Sequence, residues 1–169
     1  FSCVGVGMQH QASLGPEAGT VVPAPDGAVH LYVATQLLHA DQKQICRALG
    51  RPPEKVRLTL AGVGGAFGGR EDLSMHVHAC MLALHTGKPV KMVYNREESF
   101  FGHVHRHPAT LHYEFGAERN GKLAYARAES LPAGGANASS TGAVVANART
   151  PVPGPGRLPR APAHPPAPP

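Results

Sequence analysis

Five glycines lie within the eight residues 62–69, between an alternating apolar–polar run and a segment with apolar residues at helical spacing. Glycine lets the backbone approach a ligand closely, because it has no Cβ. Backbone amides in such a loop, beside the N-terminus of a helix, form an electropositive pocket for an anionic oxygen. The loop therefore predicts either an anion-binding site or a tight turn that serves packing alone.

Neither common nucleotide-binding pattern fits this loop. The dinucleotide fingerprint needs a third glycine three residues after Gly64, where the chain has Phe67. No Gly-Lys-Ser or Gly-Lys-Thr follows, as a phosphate-binding P-loop requires. A mononucleotide-binding loop remains an alternative without motif support.

Hydrophobic periodicity predicts an α+β fold with mixed strands and a few helices. An Asn120-Gly121 pair between two alternating runs predicts a β-hairpin, and the glycine-rich residues 1–19 predict a loop. Glu97 and Glu98 are predicted to cap the start of a helix. Strands are predicted over 20–22, 30–36, 55–61, 90–94, 107–117 and 122–131. Helices are predicted over 37–49, from Met75 to Leu84 and over 139–148, and the first two are expected to end at Gly50 and Gly87.

Composition argues against several classes of protein. Hydrophobic residues make up 42% of the chain, enough for a core, and no apolar run approaches the roughly 20 residues of a membrane span. Cys3, Cys46 and Cys80 are far apart and odd in number, so we expect reduced thiols in a cytoplasmic protein. The net charge is +5, but no basic cluster is interleaved with aromatic residues, so we expect no nucleic-acid partner.

The C-terminal segment 149–169 differs from the rest of the chain. It holds nine of the 17 prolines and three arginines, and it has no acidic residue. Proline blocks both helix and sheet, so we expect a disordered tail after a folded domain over residues 1–148. A polyproline segment that binds a partner is the alternative.

The sequence around the glycine loop resembles a known family. Residues 63–71 read VGGAFGGRE, and the molybdenum-cofactor-binding large subunit of the xanthine dehydrogenase/aldehyde oxidase family, the molybdenum hydroxylases, has approximately GGGFGGKE there. The resemblance spans about residues 8–148 and is greatest to bacterial xanthine dehydrogenases whose molybdenum subunit is a separate chain. It includes Ala34-Thr35-Gln36, Leu49-Gly50-x-Pro52, Thr86-Gly87-Lys88-Pro89-Val90, Asn95-Arg96-Glu97-Glu98 and Arg106-His107-Pro108.

The resemblance implies a molybdenum–pterin cofactor and an oxidoreductase activity. Such an enzyme hydroxylates purines such as hypoxanthine or xanthine with oxygen from water, and the cofactor supplies the chemistry. The resemblance places the iron–sulfur clusters and FAD that accept the electrons on partner subunits or domains. An aldehyde-type hydroxylase, or one acting on another heterocycle, is the alternative.

The resemblance also assigns roles to individual residues. Gln36 matches the glutamine that hydrogen-bonds an oxygen ligand of molybdenum, which an amide does without adding charge. Phe67 and Gly68 match positions whose backbone lies against the metal, and Gly65 shapes the loop. Glu71 matches the residue that reaches the substrate heterocycle in xanthine-type enzymes. Because aldehyde-type members tend to carry an apolar residue there, Glu71 favours a purine.

Each assignment has a plainer alternative. Without the resemblance, Gln36 is a polar residue that ends a strand, and Phe67 is a packing residue. Glu71 is then an acid in the first turn of a helix, where the helix dipole favours it. Arg70 replaces the commoner lysine of the family and receives no role.

Three histidines, His103, His105 and His107, form an HxHxH pattern. On a strand this spacing would place three imidazoles on one face and suit a metal ion. The family has a structural residue at His107, so we expect packing and hydrogen bonding rather than zinc.

The family's general-base glutamate, an arginine and further pterin-binding loops lie beyond the segment that resembles this chain. We therefore expect a fragment of a larger subunit, and an inactive truncated chain or a scaffold piece is the second functional hypothesis. GC-rich codons give Pro, Ala, Arg and Gly in almost any reading frame. Residues 149–169 are accordingly expected to be a frameshifted end.

Overall fold

The computed structural model describes residues 1–135 and 141–149, which contain both strands and helices, as the predicted α+β class requires. They form two compact units, one of residues 10–106 and one of residues 1–9 together with the chain from residue 107 onward. In chain order the elements are β1 (Ser2–Val6), β2 (Ala18–Pro23), β3 (Val29–Val33), α1 (Leu38–Leu49), β4 (Val56–Leu60), α2 (His76–Thr86), β5 (Val90–Val93), α3 (Arg96–Gly102), β6 (Ala109–Ala117), β7 (Leu123–Pro132) and α4 (Thr141–Arg149).

The larger unit is built on a four-stranded sheet with the strand order β4-β3-β2-β5. Strand β2 pairs antiparallel with both β3 and β5, whereas β3 and β4 are parallel. A parallel pair needs a crossover connection, and α1 supplies it. Strand β3 ends at Val33 instead of the predicted residue 36, so Thr35 and Gln36 lie just beyond the sheet.

The core of this unit lies between the sheet and the helices α1 and α2. Valines and a leucine of the strands meet the apolar side of each helix, which is the packing that the alternating and helical patterns predict. Both helices end at the predicted glycines, Gly50 and Gly87. The buried residues are Val21, Val29, Leu31, Val33, Ile45, Cys46, Val56, Met75, Ala79, Cys80 and Ala83.

Helix α3 begins with a reciprocal cap. The Asn95 side chain accepts a hydrogen bond from Glu98 N at 2.8 Å, and Asn95 N donates to Glu98 Oε2 at 2.7 Å. Two otherwise unpaired amides at the helix start are thereby satisfied. The capping role predicted for the acidic pair is confirmed for Glu98.

The smaller unit is a three-stranded antiparallel sheet with the order β1-β6-β7. Strands β6 and β7 form the hairpin that Asn120-Gly121 predicts, and Gly121 has a φ of 83° at the turn. The prediction of a loop over residues 1–19 is wrong at both ends, because β1 pairs with β6 and β2 begins at Ala18. Strand β1 is stabilised by pairing with residues about a hundred positions away, which a local pattern does not record.

Helix α4 overlaps the predicted helix over 139–148 and ends one residue later, at Arg149. The tail predicted over 149–169 lies outside the described residues except for Arg149, so its disorder and its origin stay predictions. None of the helices in the part of the chain that the structure describes is long and apolar enough to cross a membrane.

His76 makes folding of the larger unit depend on pH. Its side chain is buried, and Nδ1 accepts a hydrogen bond from Ser74 N at 3.1 Å. Burial, with a smaller contribution from the charge of Arg70, lowers the pKa of His76 from 6.5 to about 4. Between about pH 4 and pH 6.5 the unfolded chain therefore binds a proton at His76 that the folded chain does not bind.

We expect the free energy of unfolding to fall by about 2 kcal/mol between pH 7.5 and pH 5.0 through His76 alone. This stability is present above pH 6.5 and is lost as the pH falls toward 4. In urea unfolding, His76→Asn should lose about 2 kcal/mol less of its free energy of unfolding between pH 7.5 and pH 5.0 than the wild-type chain does. Exposed His85 is the matched control, and an unchanged pH dependence in His76→Asn would contradict the assignment.

Candidate functional site

The glycine loop folds into a tight turn at Phe67 and Gly68. Gly69 N donates to Ala66 O at 2.8 Å, and the two central residues have φ values of 53° and 82°. Positive φ at both central positions is the signature of a type I′ turn. Phenylalanine rarely adopts this conformation, so the surrounding structure must impose it.

Phe67 does not pack into the core. Its side chain is 77% exposed, which argues against the alternative that it is a packing residue. The ring lies over Gly65, where an added Cβ would come 3.0 Å from Phe67 Cε2. Gly65 itself has a φ of 95°, so its shape-giving role has two physical reasons.

The turn presents hydrogen-bond donors. Within residues 1–135 and 141–149, no acceptor is paired with the backbone amides of Phe67 and Gly68. A Cβ at Gly68 would meet no atom within 4 Å. The turn therefore offers two amides next to open space, an arrangement suited to an electronegative atom of a ligand.

The Arg70 side chain holds the loop in place. Although charged, it is only 6% exposed. Its Nε donates to Gly65 O at 2.9 Å, and its Nη2 donates to Gly15 O and, at 3.4 Å, to Pro16 O. Sequence reasoning gave Arg70 no role, although a cation directly after a glycine-rich loop is the one local signal that could have suggested this clamp.

Gln36 is latched to the end of the same loop by two hydrogen bonds. Gln36 N donates to Arg70 O at 2.9 Å, and Arg70 N donates to Gln36 Oε1 at 3.1 Å. Since a backbone N–H can only donate, the side-chain atom facing it is the oxygen, and Nε2 remains as the donor. The structure thus brings together Gln36 and the loop residues, which sequence reasoning grouped only by resemblance.

Residues beyond the latch support Gln36. Thr35 Oγ1 accepts a hydrogen bond from Leu37 N at 3.0 Å and pairs with Oδ2 of the fully buried Asp41. Burial raises the pKa of the Asp41 carboxyl, which favours its protonated form. Thr35 Oγ1 also lies 3.3 Å from Arg70 O, the same backbone oxygen that accepts from Gln36 N.

Glu71 follows the clamp and is exposed at the surface. Helix α2 begins only at His76, so Glu71 is not in its first turn. The explanation of Glu71 by the helix dipole is therefore wrong, and so is the expectation that the loop opens directly into a helix. An exposed carboxylate beside the loop remains available to a ligand.

The HxHxH pattern does not form a strand face. His103 follows α3 and is buried, His105 Nε2 donates to Phe100 O at 2.6 Å, and His107 Nε2 bonds Thr141 Oγ1 at 2.8 Å. Each of these contacts is a hydrogen bond within its own unit. The expectation of hydrogen bonding for His105 and His107 is confirmed.

The first glycines of the loop also line a cleft of about 460 Å³. Its lining includes Gly62, Gly64, Arg70, Tyr32 and Lys91. Its lining does not include the predicted site residues Gln36, Phe67, Gly68 and Glu71. The cleft is therefore distinct from the surface that carries the predicted site residues.

The sequence matches the model of the molybdopterin cofactor-binding domain family over residues 2–163. The chain belongs to this family. The match covers the loop, the latch and both compact units, so the resemblance inferred from the motifs is confirmed.

Two relatives of the chain are subunits of dehydrogenases. The chain is 40% identical over 140 residues to the nicotinate dehydrogenase large molybdopterin subunit of Eubacterium barkeri, covering 83% of this chain and 33% of the relative. It is 37% identical over 107 residues to a probable xanthine dehydrogenase subunit of Bacillus subtilis (strain 168), covering 63% of this chain and 14% of the relative. The chain thus spans a third or less of the length of these relatives.

The fold is shared with a solved oxidoreductase structure. The aldehyde oxidoreductase from Desulfovibrio gigas superposes with a TM-score of 0.73 at 22% identity, covering 78% of this chain and 14% of that one. At this identity the likeness shows a common fold.

The residues of the latch and the turn fit a molybdenum–pterin group. The two unpaired amides at Phe67 and Gly68 and the amide nitrogen of Gln36 are neutral donors, which suit the electronegative ligands of a metal oxo group. Gly68 leaves room for close approach, since no atom lies within 4 Å of its missing Cβ.

Close packing of the loop onto residue 15 gives a test of the clamp. Gly15 N donates to Gly64 O at 3.1 Å, and a Cβ at Gly64 would lie 2.9 Å from the Gly15 Cα. The Gly15 Cα is a backbone atom and cannot move aside as a flexible side chain would. Gly64→Ala should therefore destabilise the chain by about 1–3 kcal/mol. Gly62→Ala is the matched control, since nothing lies within 4 Å of its Cβ position.

Urea unfolding of both variants measures the difference. Gly62→Ala should stay within about 0.5 kcal/mol of the wild type. Equal stability of the two variants would show that the loop is not packed against residue 15.

Proposed function

We propose that the chain is the molybdenum-facing part of a hydroxylase that oxidises a nitrogen heterocycle, a purine such as hypoxanthine or xanthine. The observation that carries this proposal is the latch, in which Gln36 is joined at both its backbone and its side chain to the end of the turn-bearing loop. Such a latch holds a donor side chain and two donor amides in fixed relation before any ligand arrives. Preorganised donors of this kind act without reorganisation during a reaction.

The bound molybdenum–pterin group would supply the redox chemistry, in which a substrate C–H becomes C–OH with oxygen from water and two electrons leave. The chain's own residues would bind and orient. Gln36 would donate from Nε2 toward the oxygen side of the group. The amides of Phe67 and Gly68 would donate from the turn, and the exposed Phe67 ring would exclude water from that face.

Glu71 is the residue proposed to select the substrate. It is exposed and follows directly after Arg70, whose backbone holds Gln36. A carboxyl group at this place can accept a hydrogen bond from a ring N–H or, when protonated, donate one to a ring nitrogen. An aldehyde has neither group, so a carboxyl here favours a nitrogen heterocycle.

A nicotinate-type substrate is the second candidate. The relative that is 40% identical over 83% of this chain is a nicotinate dehydrogenase subunit, whereas the xanthine dehydrogenase relative is 37% identical over 63%. Both substrates are nitrogen heterocycles, so the role of Glu71 would be the same. An assay that compares several substrates distinguishes the two candidates.

Electron transfer would need iron–sulfur clusters and FAD on partner subunits or further domains. Both relatives extend far beyond the matched segment, since the chain spans 33% and 14% of their lengths. An inactive chain or a scaffold piece remains the competing hypothesis. Molybdenum analysis of the purified chain, together with a xanthine hydroxylation assay, separates the two, and metal-free inactive protein would support only the scaffold.

The test of substrate class uses Glu71→Val in the enzyme assembled with its partners. We expect kcat/KM for xanthine or nicotinate to fall about 10- to 100-fold, because the hydrogen bond between the carboxyl group and the ring is lost. Turnover of an aldehyde should change little. The assay compares hypoxanthine, xanthine, nicotinate and benzaldehyde under the same conditions.

Glu97→Val is the matched control, because Glu97 is an exposed acid on α3. It should leave all four substrates unaffected. Equal losses for heterocycles and aldehyde in Glu71→Val would contradict the assignment of Glu71 to heterocycle binding.

A further inference from the structure

A second group of ligating side chains lies in the larger unit, and the proposed function does not use it. One possible ligand atom from each of His10, Glu17 and His103 lies within 4.8 Å of the other two. Glu17 and His103 are only 4% and 8% exposed. In the part of the chain that the structure describes, no other group of three such residues is this close.

The hydrogen bonds of His103 determine which of its ring nitrogens faces Glu17. His103 Nδ1 donates to Val104 O at 2.7 Å, so the neutral ring carries its lone pair on Nε2. That atom lies 3.5 Å from Glu17 Oε1. When the ring is neutral, two acceptors face each other in this buried place, so either a proton on Nε2 or a metal ion must lie between them.

Further acceptors surround this pair without partners. Glu17 Oε2, Gln11 Oε1 and His105 Nδ1 are buried and have no hydrogen-bond partner. His105 donates from Nε2 to Phe100 O, so its Nδ1 also carries a lone pair in the neutral ring. Buried polar atoms are normally paired, and a bound ion is one of the ordinary reasons for an exception.

His10 completes the group. Its ring centroid lies 5.1 Å from that of His103, with the ring planes inclined at 72°. Its Nδ1 accepts a hydrogen bond from Ala12 N at 2.8 Å, and its Nε2 lies 3.5 Å from Ser99 Oγ.

We propose that His10, Glu17 and His103 bind a divalent transition-metal ion with the ligand preference of zinc, at a site separate from the molybdenum–pterin surface. Two imidazoles and one carboxylate are a zinc-type donor set, whereas calcium and magnesium prefer oxygen alone. Three protein ligands leave a fourth position for water or for another nearby acceptor. The inference does not depend on the proposed function.

The site lies directly beneath the end of the glycine loop. A Cβ at Gly69 would come 3.0 Å from His103 Cε1 and 2.9 Å from Gln11 Cδ. Gly69 N also closes the Phe67-Gly68 turn. An ion at this place would therefore fix the residues on which the turn rests.

Metal binding has one consequence that can be observed without any activity. Ala12 N donates to His10 Nδ1 at 2.8 Å. If Nε2 binds the metal, Nδ1 must carry the ring proton, and if Nδ1 binds it, its lone pair is used. In both cases Ala12 N loses its acceptor, so its amide resonance must shift.

The test titrates Zn²⁺ into the chain purified without a histidine tag, with calorimetry and with NMR of the backbone amides. We expect one ion per chain, a shift at Ala12, and visible d–d absorption of tetrahedral type when Co²⁺ replaces Zn²⁺. Glu17→Gln and His103→Gln should each weaken binding by more than about tenfold. His85→Ala, which removes an exposed histidine of the same unit, should leave affinity unchanged.

Circular dichroism of each variant shows whether it is folded. If Glu17→Gln or His103→Gln fails to fold, the Ala12 shift in the wild-type chain still decides the question. Zn²⁺ binding that leaves Ala12 unshifted, or that His85→Ala removes, would overturn the proposal. So would a wild-type chain that binds no Zn²⁺.

Discussion

The buried guanidinium of Arg70 is the contact on which the glycine loop depends. A charged group in the interior must find hydrogen-bond partners, because its desolvation is otherwise costly. Arg70 finds them on backbone carbonyls of Gly65 in the loop and of Gly15 and Pro16 before β2. One side chain therefore ties two segments, about fifty residues apart, into a single frame.

The remaining features of the site follow from this frame. The backbone of Arg70 is held at both its N–H and its C=O by Gln36, so the loop cannot move without breaking that pair. The constrained ends in turn support the left-handed conformation of Phe67, which a free loop would avoid. The frame thereby holds an exposed aromatic ring, two unpaired amides and a neutral amide donor on one loop and its latch.

Local sequence patterns predicted the elements better than the contacts between them. The hairpin at Asn120-Gly121 and the helix ends at Gly50 and Gly87 depend on neighbouring residues, and these predictions are confirmed. Strand β1 and the Arg70 clamp depend on partners far away in the chain, and no periodicity records such partners. The helix predicted from Met75 begins at His76, but the loop does not open directly into it, because residues 70–75 lie between them.

The candidate site shows the same division. Gln36, Phe67 and Gly68 were grouped by resemblance to a family motif, and the structure supplies the hydrogen bonds that explain why they belong together. The histidine pattern had the opposite outcome. His103 groups with Glu17 and His10 from much earlier in the chain, because the chain turns after α3 instead of continuing as a strand.

We propose that the latch between Gln36 and the loop holds the molybdenum–pterin group. A crystal structure of the cofactor-loaded enzyme, at a resolution that identifies side-chain amides, would decide this. Molybdenum should lie beside the Phe67-Gly68 turn, with Gln36 Nε2 directed toward it and Oε1 still bound to Arg70 N. Molybdenum located away from this turn, or Gln36 released from Arg70 and directed elsewhere, would contradict it.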